Sequence, residues 1–155
     1  MQIFVLDRNP KKAAKMLCDK HVVKMIVESA QILTTIHHLY DSKQKHLVYK
    51  KTHEKHPCVI WAGNSKENYL WLLEHLSELI KEYEYRYGKF HKTTEIKKIL
   101  ETPPKGLLSV GLTDFAQAIP EEYKQKNAIK AYREFYKKEK MHFAKWTKRK
   151  KPNWI

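Results

Sequence analysis

The stretch from Asp19 to Leu39 constrains this chain more than any other, because it is apolar around most of a helix and polar along one narrow stripe. At helical spacing, His21, Lys24, Glu28, Gln31, Thr35 and His38 fall within a sector of about 100°. Val22, Val23, Met25, Ile26, Ser29, Ala30, Ile32, Leu33 and Ile36 cover most of the remainder. A surface helix shows the reverse, a wide polar face and one apolar stripe. A helix of this pattern belongs in the middle of a domain. Its aligned His and Glu then either line a wet pocket or form a polar edge that reaches solvent.

The helix breakers fall between the periodic segments. Gly occurs only at 63, 88, 106 and 111, and Pro only at 10, 57, 103, 104, 120 and 152. This layout predicts an all-α, single-domain helical bundle, with long helices near 10–40, 64–87 and 121–146 and a short extended N-terminus over 1–6. Asn9-Pro10 supplies an N-cap and a first-turn proline for the first helix, which breaks near Asp19. Asn64 with Glu67 reads as a capping box for the second, whose Tyr69, Leu72, Leu76, Leu79 and Tyr83 share a face and whose end Gly88 closes. Shorter helices are expected near 94–100 and 114–119, separated by a loop over 103–112. Ala128, Ala131, Tyr132, Phe135 and Tyr136 point the last long helix inward. The 155 residues are expected to form one domain with a basic C-terminal tail over 145–155, without repeats.

Thirty-one Lys and Arg against 17 Asp and Glu leave a net charge of +14. Such an excess favours polyanions through phosphate neutralisation, with nucleic acid first and a membrane surface excluded for want of a free amphipathic helix or lipidation signal. Two cysteines make no disulfide framework, no apolar run approaches 18 residues, and residues 1–6 lack the charged start of a signal peptide. The reading is an intracellular, cytoplasmic protein of a reducing compartment.

Three constellations carry chemistry. Asp19, His21 and Glu28 lie on one helix, with His21 and Glu28 two turns apart on one face. A carboxylate and an imidazole together stabilise developing positive charge and move protons, as cleavage of an N-glycosidic bond requires. An ordinary core or surface pair has the same spacing. The C-terminal set of His142, Lys145, Trp146, Lys148, Arg149, Lys150, Lys151 and Trp154 interleaves cations with aromatic faces, which suits phosphate contact and base stacking, or mere solubility. Cys18, His21, His53, His56 and Cys58 offer zinc-type ligands at non-standard spacing. Free buried cysteines and a proline-led helix entry at His56-Pro57 are the simpler account, so no metal and no cofactor are assigned.

Asp19-x-His21 followed by Glu28, then His56-Pro57-x3-Trp61-x-Gly63, Tyr69 on a long helix, and Glu82-x3-Arg86-x-Gly88 resembles the pyrimidine-dimer DNA glycosylase family of the phage endonuclease V type, over roughly residues 1–90. The resemblance implies a helical DNA-repair enzyme, at home in a phage-infected host, that removes a damaged base and cleaves the abasic strand. It places Glu28 on the sugar, His21 beside it, and an N-terminal α-amine, here that of Met1, as the imine-forming nucleophile. Gln2 is too bulky to permit removal of Met1. Asp19, Lys24, Gln31, His56, Trp61, Arg86, Lys145, Trp146, Lys148 and Arg149 are the candidate substrate and DNA contacts. The chain departs from the family at Val27 and Gln31, which stand where arginines flank the family's glutamate, and at Gln2, which replaces a basic residue. The expected partner is double-stranded DNA with a flipped base, bound by a monomer, ahead of RNA or a free nucleotide. The alternative is a non-catalytic nucleic-acid- or nucleotide-binding protein of viral type.

Overall fold

The computed structural model describes residues 1–155, apart from the side chain of Leu47. Among the described residues there are six α-helices and no strand: α1 (Pro10–Met16), α2 (Asp19–Leu39), α3 (Pro57–Gly63), α4 (Lys66–Tyr87), α5 (Thr93–Leu100) and α6 (Ala128–Glu139). Two 3-10 turns, Lys43–Leu47 and Glu121–Tyr123, complete the inventory. The all-α expectation holds. No helix is long and apolar enough to cross a membrane.

Local chemistry explains most boundaries. Asn9 Oδ1 accepts from the N–H groups of Lys11 and Lys12 and Pro10 takes the first helical position, so α1 starts where expected. The chain turns extended at Leu17 and Cys18 before α2 begins, which is the break expected near Asp19. Gly88 closes α4 in the left-handed conformation, φ 64°. At the other end the cap is Ser65, not Asn64, with Ser65 Oγ accepting from Asn68 N–H at 3.0 Å. Glu67 turns away to the 103–113 loop, accepting from Gly111 N–H at 2.6 Å and Ser109 Oγ at 2.7 Å.

The packing follows from α2, which buries Val22, Met25, Ile26, Ala30, Ile32, Leu33 and Ile36 at 1% exposure or less. It crosses α4, the other long helix, while α1 lies against α4, and α3 and α5 cover the flanks of α2. Burial on this scale stabilises by about 1.5–3 kcal/mol per large aliphatic side chain.

Two expected helices differ. Residues 114–119 form no helix, because their polar groups pair with other elements instead of with one another. Ala118 N–H donates to Tyr132 Oη, the Ala118 carbonyl accepts from Gln2 Nε2, and the Ala116 carbonyl accepts from Tyr132 Oη. Phe115 and Ile119 anchor the segment in the core. The helix expected over 121–146 is shortened to α6, which Asn127 starts by capping Lys130 N–H at 3.1 Å. Beyond Lys140 the chain turns and folds back over α1, α2 and α4, with Trp146 Nε1 donating to the Met16 carbonyl and Asp19 N–H to the Lys145 carbonyl.

Candidate active site

The first six residues run under α2 without regular structure and bury Ile3, Phe4, Val5 and Leu6. Phe4 takes a left-handed conformation, φ 59°, which a non-glycine residue adopts only when its surroundings hold it there. The bend brings the α-amine of Met1 to 3.9 Å from Glu28 Oε1, with the two side chains 2% and 16% exposed. Glu28 Oε2 is buried without a hydrogen-bond partner. A buried carboxylate oxygen with no donor is costly to the fold.

His56 and Cys58 stand close behind the pair. His56 caps α3, its Nδ1 accepting from Cys58 N–H at 3.1 Å. Its pKa is lowered by burial first, then by the charge of the N-terminal amine and by His53. The Cys58 thiol is fully buried and pushed up to about 12 by burial, with the amine and Glu28 acting on it in opposite senses. It therefore stays a neutral thiol and is no nucleophile at ordinary pH.

His21 is placed differently. It is 5% exposed, stacks on Phe4 at 4.3 Å between ring centroids, meets Phe143 edge-on, and shares a 2.8 Å hydrogen bond between Nδ1 and Tyr136 Oη. Tyr136 Oη also accepts from Cys18 N–H. Burial, then Lys140, Lys24 and Lys20, lower the His21 pKa to about 4, so the ring is neutral at pH 7. It presses on the Phe4 bend instead of sharing a hydrogen bond with Glu28. Of the stripe, Lys24 is exposed, Gln31 and His38 are half-buried, and Thr35 is buried, tied to the Thr52 backbone.

Asp19 and Arg86 belong to a separate buried ion network. Arg86 donates to Asp19 at 3.0 Å, to Glu82 at 2.9 Å and to the Lys15 carbonyl at 3.0 Å, and its side chain is fully buried. Arg149 closes the network on Glu82 at 2.5 Å while lying over the Tyr85 ring. Burial would raise the Asp19 pKa, but hydrogen bonds from Thr147 and the Arg86 guanidinium outweigh it and hold the pKa below the ordinary value. Trp61 is also turned inward, packed on Trp71 and Phe115. Of the residues expected to face DNA, Arg86 and Trp61 thus sit in the interior, Trp146 is half-buried, and Lys24, Lys145 and Lys148 are exposed. Among the described residues no group of three or more His, Cys, Asp or Glu side chains is arranged to hold a metal. A cleft of 560 Å³ opens elsewhere, between Arg8, Phe115, Lys126 and Asn127, and does not include Met1 or Glu28.

Three buried histidines make the fold acid-sensitive. His21, His37 and His75 all have pKa values lowered to about 4 by burial. An unfolded histidine takes up its proton near pH 6.5, so the unfolded state binds more protons than the native one as pH falls from about 6.5 towards 4. Their contribution is complete above that window and lost within it, at up to about 1.4 kcal/mol per pH unit for each ring. The urea midpoint is expected to fall steadily from pH 7 to pH 5. A constant midpoint would contradict native-state neutrality of these rings.

Sequence reasoning overlooked Gln2 as a structural residue and Tyr132 and Tyr136 as anchors. Their signal is tertiary, since they lie more than 110 residues from the groups they hold.

A helical, strongly basic protein with an amine held against a buried carboxylate has the groups of a nucleophile-and-carboxylate enzyme. The family model described as pyrimidine dimer DNA glycosylase matches residues 1–96, and the chain belongs to this family. It is thus a DNA glycosylase with DNA as its substrate. No curated protein and no solved structure matches the chain. The matched part contains Met1, Glu28 and His56, whereas Tyr132, Tyr136 and Phe143, which hold the N-terminal bend, lie beyond it.

Proposed function

We propose that Met1 and Glu28 are the reacting pair of a glycosylase that removes a damaged or modified base from double-stranded DNA and then cleaves the abasic strand. The observation that carries this is the 3.9 Å approach of the Met1 amine to Glu28, whose second oxygen lacks a partner. An unprotonated α-amine is a competent Schiff-base nucleophile. Its lone pair bonds to C1′ of the flipped nucleotide as the glycosidic bond breaks, and the base leaves with the bonding pair and takes up a proton from water. Glu28 receives the amine's proton. It returns a proton to O4′ as the sugar ring opens and C1′ becomes doubly bonded to nitrogen. Glu28, again a carboxylate, then takes a C2′ proton, and the C2′–H electron pair forms the C1′–C2′ double bond of an enamine that breaks the C3′–O bond and expels the 3′ phosphate. Neutral His21 backs the N-terminal bend through Phe4, and exposed Lys24 and Lys145 supply phosphate contacts.

Val27 and Gln31 flank Glu28 where the family resemblance calls for arginines, which favours a lesion or modified base other than the pyrimidine dimer. Borohydride trapping on DNA carrying an abasic site tests the amine. The expected result is a covalent adduct whose digest places the sugar remnant on Met1. Active enzyme that yields no adduct, or an adduct on a lysine, removes Met1 from the mechanism. Base release, scored by mass across a panel of damaged and modified duplexes, identifies the substrate.

A further inference from the structure

The N-terminal bend depends on a side chain that has no chemistry of its own. Gln2 Oε1 accepts from the N–H groups of Ile3 at 2.9 Å and Phe4 at 3.3 Å, closing a tight turn within its own segment. The same oxygen lies 3.0 Å from Tyr132 Oη, and Gln2 Nε2 donates to the Ala118 carbonyl at 2.7 Å. One amide thus uses both ends. Its oxygen gathers the two backbone N–H groups leading into the left-handed Phe4, and its nitrogen fastens that turn to the 114–119 segment. Tyr132 is fully buried on α6, so the anchor is rigid. The residue immediately before this clamp is Met1.

We propose that Gln2 is a positioning residue that aims the Met1 α-amine at Glu28. The proposal rests on the reading of Met1 and Glu28 as the reacting pair. A free N-terminal residue has rotatable bonds on one side only and is ordinarily mobile. Here the carbonyl side of Met1 is fixed by a neighbour with four tertiary or local partners, which leaves few directions for the amine. The amide needs both an acceptor and a donor at one length, which neither Glu nor Leu supplies. Gln2 does a second service, since its size keeps Met1 in place. A small residue at position 2 would permit removal of Met1 and shift the amine by one residue, away from Glu28.

The test uses the full-length protein with Gln2→Leu, which keeps Met1, as intact mass verifies, and removes all the polar contacts. Tyr132→Phe is the second variant and withdraws only the hydroxyl beside Gln2 Oε1. With abasic duplex DNA, the rate of borohydride-trapped adduct is expected to fall about 100-fold in Gln2→Leu and about tenfold in Tyr132→Phe, with DNA affinity within about threefold of the parent. In protein labelled with 13C at methionine Cα, the Met1 signal is expected to move on Glu28→Gln in the parent and to stay unmoved in the Gln2→Leu background. A merely stabilising Gln2 would not alter that response. Trapping in folded Gln2→Leu within about threefold of the parent, or a Met1 signal that still responds to Glu28→Gln, overturns the proposal. Should Gln2→Leu fail to fold, parental trapping in Tyr132→Phe overturns it. Absence of any adduct in the parent defeats the nucleophile reading instead, and the Met1 signal then decides the positioning role by itself.

Discussion

Glu28→Gln is expected to reduce base release by about 1,000-fold, the loss typical of removing a positioned acid–base group. That corresponds to about 4 kcal/mol of transition-state stabilisation. The substitution keeps the shape of the side chain on α2 and the packing around it. It removes the negative charge 3.9 Å from the Met1 amine and the carboxylate placed to take its proton. DNA affinity is expected to stay within a few-fold, because binding rests on surface cations and the +14 net charge. Steady-state base release together with a filter-binding or anisotropy titration checks both halves. Equal loss of affinity and turnover would make Glu28 a structural or binding residue, and unchanged turnover would move the chemistry elsewhere.

Arg86→Ala is expected to cost about 3–5 kcal/mol of stability, because it leaves two carboxylates facing a hole. Arg86 is the one cation shared by Asp19 and Glu82, and its removal also strands the Lys15 carbonyl. Arg149 still covers Glu82 from the other side, but Asp19 keeps only Thr147. For a domain of this size the loss is a large part of the total, and urea denaturation measures it directly. Arg86→Ala protein of parental stability and weakened DNA binding would return Arg86 to the DNA interface that its family-like spacing suggests. The expected outcome assigns it to holding α2, α4 and the C-terminal segment together.

Much of this fold was legible because its signals are local. Asn9-Pro10, the apolar spacing of α4 and the terminal Gly88 each work within a few residues, and helices appear where they predict. Most of the apolar face assigned to α2 is buried, but Val23 is exposed and the polar-edge members His21 and Thr35 are buried. Within that edge the sequence could not distinguish members, since Lys24 meets solvent, Thr35 ties down the Thr52 backbone and Glu28 meets an amine. Segment 114–119 has helical spacing yet forms no helix, because Gln2 and Tyr132, from other elements, claim its carbonyls. The C-terminal residues read as a free basic tail by composition. In the structure Trp146, Thr147 and Arg149 fasten to α1, α2 and α4, Lys148 donates to the Tyr85 carbonyl, and Lys145 is exposed.

The sequence by itself determined the helical class, the +14 net charge, the family and the carboxylate at Glu28. These follow from periodicity, composition and short motifs, which act over a turn or two of chain. Only the tertiary structure decided that the Met1 amine reaches Glu28, that His21 is neutral and spent on Phe4 and Tyr136, and that Arg86 is buried. The physical reason is distance along the chain. Desolvation, ion pairing and the aim of a terminal amine are set by residues from far-separated elements, and their energies exist only once those elements pack.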